Sequence, residues 1–162
     1  MPFFQADVGK QAHETQRIEV TMLNYLVAYG ATAVVMLALD IAWLGFIAKS
    51  FYREAIGHLM ADPPNLVAAV VFYLLYPAGV MLFAVAPAPW SGVLVAPTDI
   101  PLSRAVLAGA LFGFFAYATY DLTNLATLRG WPWRLVLVDI AWGTALTAAA
   151  AAAGHWALGR MT

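Results

Sequence analysis

Residues 120–143 read YDLTNLATLRGWPWRLVLVDIAWG. They close one long apolar stretch, turn sharply, and open another. The apolar stretch before the turn begins near Leu102, and the one after it runs to Leu158. The turn itself, RGWPWR at 129–134, holds two arginines and two tryptophans, residue types that suit a lipid headgroup layer. A helix needs roughly 20 mostly apolar residues, at 1.5 Å rise each, to cross about 30 Å of hydrocarbon. Both stretches meet that length. A turn this short makes them antiparallel neighbours.

Working outward, two more stretches qualify, at 23–48 and 65–86, which with 102–128 and 135–158 make four spans. The first and third are about 26 residues long, which implies tilt or interfacial overhang. Composition agrees. Of 162 residues, 63% are hydrophobic and 10% charged, and mean hydropathy is +0.77. A soluble domain is about 45–50% apolar and about 25% charged. The expected fold is all-α: an integral membrane four-helix bundle of four antiparallel, up-down transmembrane helices, spanning residues 22–160. The lipid bilayer is its first partner. Net charge is −1, so no basic face offers itself to nucleic acid. Cysteine is absent, which excludes disulfides, thiolate metal sites and cysteine nucleophiles.

The connections differ in character. Residues 49–64 are polar, with Lys49, Arg53, Glu54, His58 and Asp62, and Asp62-Pro63-Pro64 reads as a helix stop and restart. Residues 87–101 carry Pro87, Pro89, Pro97 and Pro101 beside Trp90, an interface-seeking residue, and the 92–96 stretch is too short to span. Residues 1–21 form a polar tail of mixed charge that does not read as a secretory signal, because the apolar stretch after it is too long. Two readings stand open: a disordered or surface-lying tail, or a true translation start at Met22. Lys49, Arg53, Arg129 and Arg134 lie on one side. Arg104 and Arg160 lie on the other, joined by Lys10 and Arg17 if the tail counts. The close-in charges put both short basic loops in the cytoplasm.

Three aspartates break the apolar spans. A carboxylate in a span costs about 2.5–3.5 kcal/mol on insertion scales. Asp40 lies nine residues before Lys49, Asp121 eight before Arg129, and Asp139 five after Arg134. At 1.5 Å per residue their depths from the same surface are roughly 13, 12 and 8 Å. Spans one, three and four therefore bring their aspartates to one half of the bundle, the cytoplasmic half. Tyr117, Asp121 and Asn124 share a helix face, as do Asp40 with Trp43 and Asp139 with Trp142. The expected site is a buried polar cluster with Asp121, Asp40 and Asp139 as candidate acid, base or ligand groups. Asn124, Trp43, Trp142, Tyr73, Tyr76 and Tyr117 are its candidate ligand-binding edge. The string Asp-Ile-Ala-Trp occurs at 40–43 and again at 139–142, late in one span and early in another, which favours convergence on one site over an inverted duplication.

Three close carboxylates do not all ionise in a low dielectric: at least one holds a proton, or a cation sits among them. Oxygen donors of this kind suit Mg²⁺ or Ca²⁺; whether a metal or cofactor binds stays open. The competing reading is structural. Each aspartate satisfies a tryptophan N–H, a tyrosine hydroxyl, or an inward-folded Arg53, Arg129 or Arg134, as polar groups between spans commonly do. Gly109–Gly113 is a GxxxG, which permits close helix approach, and the alanine run at 148–153 reads alike. Tyr76-Pro77 predicts a kink that opens room beside the site. No phosphate loop, Ser-His-Asp arrangement or HExxH is present.

At LDIAWLGF (39–46), FY (51–52), YDLTNLATLRGWP (120–132) and VDIAWG (138–143) the chain resembles the DUF2177 family of predicted bacterial membrane proteins. The resemblance covers about 22–158. It implies a small multi-pass protein of the bacterial inner membrane, encoded among membrane-lipid-modifying enzymes, and it assigns no reaction. Beginning near the first span, it favours Met22 as the functional start. Three function classes stand: a bilayer-embedded site for a small or lipid-like ligand or a cation, accessory to membrane-lipid modification; a proton-coupled small transporter subunit; and a structural or assembly scaffold. Partners compatible with these are a homo-oligomer or a membrane enzyme.

Overall fold

The structure, a computed structural model, describes residues 2–86 and 100–161, with side chains in the first helix from residue 22 onward. The expectations for Pro87, Pro89, Trp90, the 92–96 stretch and Pro97 lie outside the described residues. Every regular element is helical: α1 (Pro2–Ala42), α2 (Lys49–Ile56), α3 (Leu66–Val80), α4 (Leu102–Thr127) and α5 (Trp133–Met161). Among the described residues there is no strand. Among the described residues, four helical stretches are long and apolar enough to cross a membrane: Met22–Ile47, Leu66–Val85, Leu102–Thr127 and Trp133–Met161. Their ends fall within three residues of those read from the sequence. Helix α1 extends ahead of its span, back to Pro2.

The surface of the spans shows why lipid must be the solvent. Phe46, Val67 and Leu75 are among the many large apolar side chains that face outward. Their backbone groups bond within the helices, as a hydrocarbon environment demands. Threonine hydroxyls follow the same rule. Thr119, Thr123 and Thr127 each donate to the carbonyl four residues back, a ladder along the exposed side of α4.

Helix ends are set by local chemistry. The Asn65 side chain accepts from the Ala68 N–H at 3.1 Å and starts α3. Gly130, with φ of 80°, makes the turn between α4 and α5 in a region that favours glycine. Span one loosens over Trp43–Ile47, and span two over Met81–Val85, each into a π-helical turn. Helix α3 continues through the buried Pro77. That proline donates no N–H, and the Tyr29 hydroxyl reaches across from α1 to donate to the nearby Leu74 carbonyl at 2.9 Å.

Helix α5 is central. It packs along α4 and along α1, while α3 leans on α1 and meets α4 mainly through its Met81–Val85 end. Paired contacts fix the directions. Asn24 bonds the Met161 carbonyl and Asp40 bonds Trp142, so α1 and α5 are antiparallel. Gly109 faces Ala148 and Ala151 while Gly113 faces Gly143, so α4 and α5 are antiparallel too. These glycines are needed: a Cβ at Gly113 would strike the Gly143 carbonyl and the Thr147 side chain. The GxxxG stripe is thus used inside the chain, between α4 and α5. The alanine run supplies Ala150 and Ala151, both fully buried.

Candidate functional site

Because α3 meets α4 mainly near Met81–Val85, the two helices leave a gap at their other ends, beside the Arg129–Arg134 turn. A cavity of about 390 Å³ lies there. The end of span one contributes Asp40 and Leu44, and α2 contributes Tyr52 and Ile56. Helix α3 adds Ala69, Phe72 and Tyr73, and α4 adds Tyr117 and Tyr120. Trp131, Asp139 and Trp142 complete the wall. A neighbouring apolar cavity of about 410 Å³ shares Phe72, Tyr117 and Tyr120 and adds Tyr76 and Ala116. Phe72 is 39% exposed and Tyr120 57% exposed, both within spans, so the rim of the cavity faces lipid.

The aspartates are buried, and two of them are held by neutral donors. Asp40 accepts from the Trp142 indole through Oδ1 and from the Tyr73 hydroxyl through Oδ2, both at 3.1 Å. Asp139 accepts from the Tyr52 hydroxyl, and that hydroxyl accepts from the Trp43 indole N–H at 3.2 Å. Trp43 and Trp142 stack with ring centroids 4.3 Å apart and planes 6° apart. The two Asp-Ile-Ala-Trp strings therefore interlock. Asp40 of the first takes one of its two donors from the second, and Asp139 of the second is reached by the first through Tyr52.

Tyr52 sits on α2, outside the spans. Burial, and then the bond to Asp139, push its phenol well above the ordinary tyrosine range. It remains a proton donor at any physiological pH.

Asp121 is different. It is fully buried, and neither carboxylate oxygen has a hydrogen-bond partner. The Trp131 indole N–H neighbours it without reaching hydrogen-bond geometry, and is itself unpartnered. Asp121 lies behind the cavity wall, next to Asp139 and Trp131, which line it. Among the described residues no lysine or arginine pairs with any of the three aspartates. Arg134 instead lies over the Phe51 ring at 5.2 Å. Nor, among the described residues, do three carboxylate or histidine side chains gather as a metal-ligand set.

The other expected residues fall into two groups. Tyr73, Tyr117 and Trp142 line the cavity. Trp43 braces it from behind, Tyr76 bonds Thr147 at 2.8 Å and lines only the apolar neighbour, and Asn124 is half-buried on α4 outside the wall. Sequence reasoning missed Tyr52, Phe72, Tyr120 and Trp131. Trp131, read as a headgroup anchor, is 8% exposed and packs its ring edge-to-face with Tyr120, whereas Trp133 of the same turn is 63% exposed. Pro132 separates the two, and Trp131 falls before α5 begins, where helical periodicity gives no direction.

A family model described as "Predicted membrane protein (DUF2177)" matches residues 25–156. The chain belongs to the DUF2177 family. The match takes in the three aspartates and every residue of the cavity wall. No curated protein and no solved structure matches this DUF2177 chain.

Proposed function

We propose that this DUF2177 protein is a bilayer-embedded binding protein that takes the polar end of a lipid-like amphiphile into the cavity between α3 and α4, in a role accessory to membrane-lipid modification. One observation carries the reading: two buried carboxylates, Asp40 and Asp139, line a cavity whose rim, at Phe72 and Tyr120, faces the hydrocarbon. A ligand with one polar and one apolar end matches both surroundings. Its head meets hydrogen-bonding groups, and its chain stays in lipid. The volume, about 390 Å³, lies within the range of small-molecule sites. Asp40 and Asp139 are the contacting groups, with Tyr73, Tyr117 and Trp142 shaping the wall. Asp121 lies unpartnered behind the wall, beside Asp139.

The cavity lies on the side of Lys49, Arg53, Arg129 and Arg134, which we assign to the cytoplasm of a bacterial inner membrane because basic residues concentrate in cytoplasmic loops. The GxxxG stripe, one surface that a scaffold would offer to a partner, is covered by α5 within the chain. Native mass spectrometry of the detergent-extracted protein tests the proposal. A co-purifying amphiphile is expected on the parent protein and absent from the Asp40→Asn/Asp139→Asn variant. Equal retention by both would contradict it.

A further inference from the structure

Among the described residues, seven aromatic rings, two carboxylates and three aliphatic side chains line the cavity, and no lysine, arginine or histidine does. Three of the six hydrogen-bond donors of that wall are committed inward, and the other three, Tyr117, Tyr120 and the unpartnered Trp131 indole, are uncharged. The Trp142 indole and the Tyr73 hydroxyl donate to Asp40, and the Tyr52 hydroxyl donates to Asp139. What the wall offers a charged head is the acceptor capacity of its carboxylates and its aromatic faces. A carboxylate accepts at about four lone-pair positions. Asp40 uses two of them and Asp139 one.

An anionic head would meet two carboxylates with only uncharged donors, and no cation among the described residues, to hold it. A cationic head meets the reverse. Aromatic faces attract ammonium groups, most strongly where water is excluded. An opposite charge nearby also favours the ionised form of each carboxylate. The polar end that fits this wall thus carries positive charge. We infer that the cavity selects amphiphiles with an ammonium or quaternary ammonium head over those with anionic or uncharged heads. The inference rests on the reading of the cavity as an amphiphile site.

The test uses the full chain in an uncharged maltoside detergent and three probes of one chain length: tetradecyltrimethylammonium, tetradecanol and tetradecanoate. Binding is read by native mass spectrometry and by tryptophan emission. The trimethylammonium probe is expected to bind at least about tenfold more tightly than the other two, the scale of a desolvated cation–aromatic contact. The Asp40→Asn/Asp139→Asn variant is expected to lose that preference. Should it fail to fold, Tyr120→Leu at the exposed rim serves instead, and is expected to narrow the preference for the trimethylammonium probe over tetradecanol at least about threefold; an unchanged preference counts against the charge selection. Comparable binding of all three probes by the parent protein, or a preference for tetradecanoate, overturns the charge selection and leaves the amphiphile site standing. Binding of none overturns both.

Discussion

The indole N–H of Trp142 donates to Oδ1 of Asp40 at 3.1 Å, across 102 positions of sequence. The bond ties the middle of α5 to the end of span one, and the Trp43–Trp142 stack lies beside it. Two identical four-residue strings on antiparallel helices thus hold each other, one directly and one through Tyr52.

A double-mutant cycle of Asp40→Ala and Trp142→Phe isolates the Asp40–Trp142 bond. Phenylalanine keeps most of the ring contact with Trp43 and removes the donor. Polar contacts between spans couple by about 0.6 kcal/mol on average, and by up to about 1.7. A coupling in that range is expected from unfolding in detergent. Additive single effects would mean that the bond contributes nothing.

Tyr52→Phe removes one hydroxyl that serves both Trp43 and Asp139. A loss of about 1–3 kcal/mol is expected, because a buried acceptor and a buried donor lose their partner together. The loss carries a pH signature. The folded phenol titrates above the ordinary value of 10.0, for burial and the Asp139 bond both oppose its ionisation. A raised folded value gives stability that is fully present below pH 10 and declines as the pH rises beyond it. The stability difference between parent and variant should therefore be flat from neutral to about pH 10 and shrink above. Absorbance near 295 nm, parent minus variant, follows the phenol directly.

Gly143→Ala and Gly113→Ala should both destabilise the bundle. A Cβ at Gly143 would fall within the Tyr117 ring, and one at Gly113 would meet the facing backbone of α5. Overpacking of this kind costs about 1–3 kcal/mol. Gly30→Ala has open space within 4 Å and should be neutral or gain up to about 1 kcal/mol from helix propensity. Thermal unfolding and size-exclusion profiles of the three variants check the ranking. Gly143→Ala should also disturb ligand retention, since Tyr117 is part of the cavity wall.

Asp121→Asn and Asp121→Leu separate chemistry from bracing. Both oxygens lack partners, so replacing the carboxyl by an apolar group of similar size should be neutral or stabilising. Membrane insertion and unfolding temperature should hold in both variants. A fall in stability as large as that of Asp40→Ala would make Asp121 a structural residue.

Much of the fold was legible because hydrocarbon imposes simple rules. Length and hydropathy alone located four spans, and the basic turn at 129–134 set two of them antiparallel. The shared depth of Asp40 and Asp139 followed from helical rise, and the structure brings both to one cavity. What stayed hidden depended on tertiary geometry. Helix α2 read as a polar connection because Lys49, Arg53 and Glu54 dominate it, yet Tyr52 and Ile56, four residues apart, share the face that reaches the cavity. Asn124 shares its helix face with Asp121 but stands outside the wall, since spacing assigns a face and not a neighbour. The gap between α3 and α4 depends on where the two helices part, and no residue pattern encodes that.

Lipid photolabelling reads the central claim directly. A phospholipid with a photoreactive group near its head is irradiated with the protein in vesicles, and adducts are mapped by peptide sequencing. Labels are expected to concentrate on the cavity wall and rim, at Phe72, Tyr73, Tyr120 and Trp131, and to be suppressed in the Asp40→Asn/Asp139→Asn variant. Labels spread evenly over the lipid-facing sides of all four spans, and unchanged in that variant, would contradict the claim.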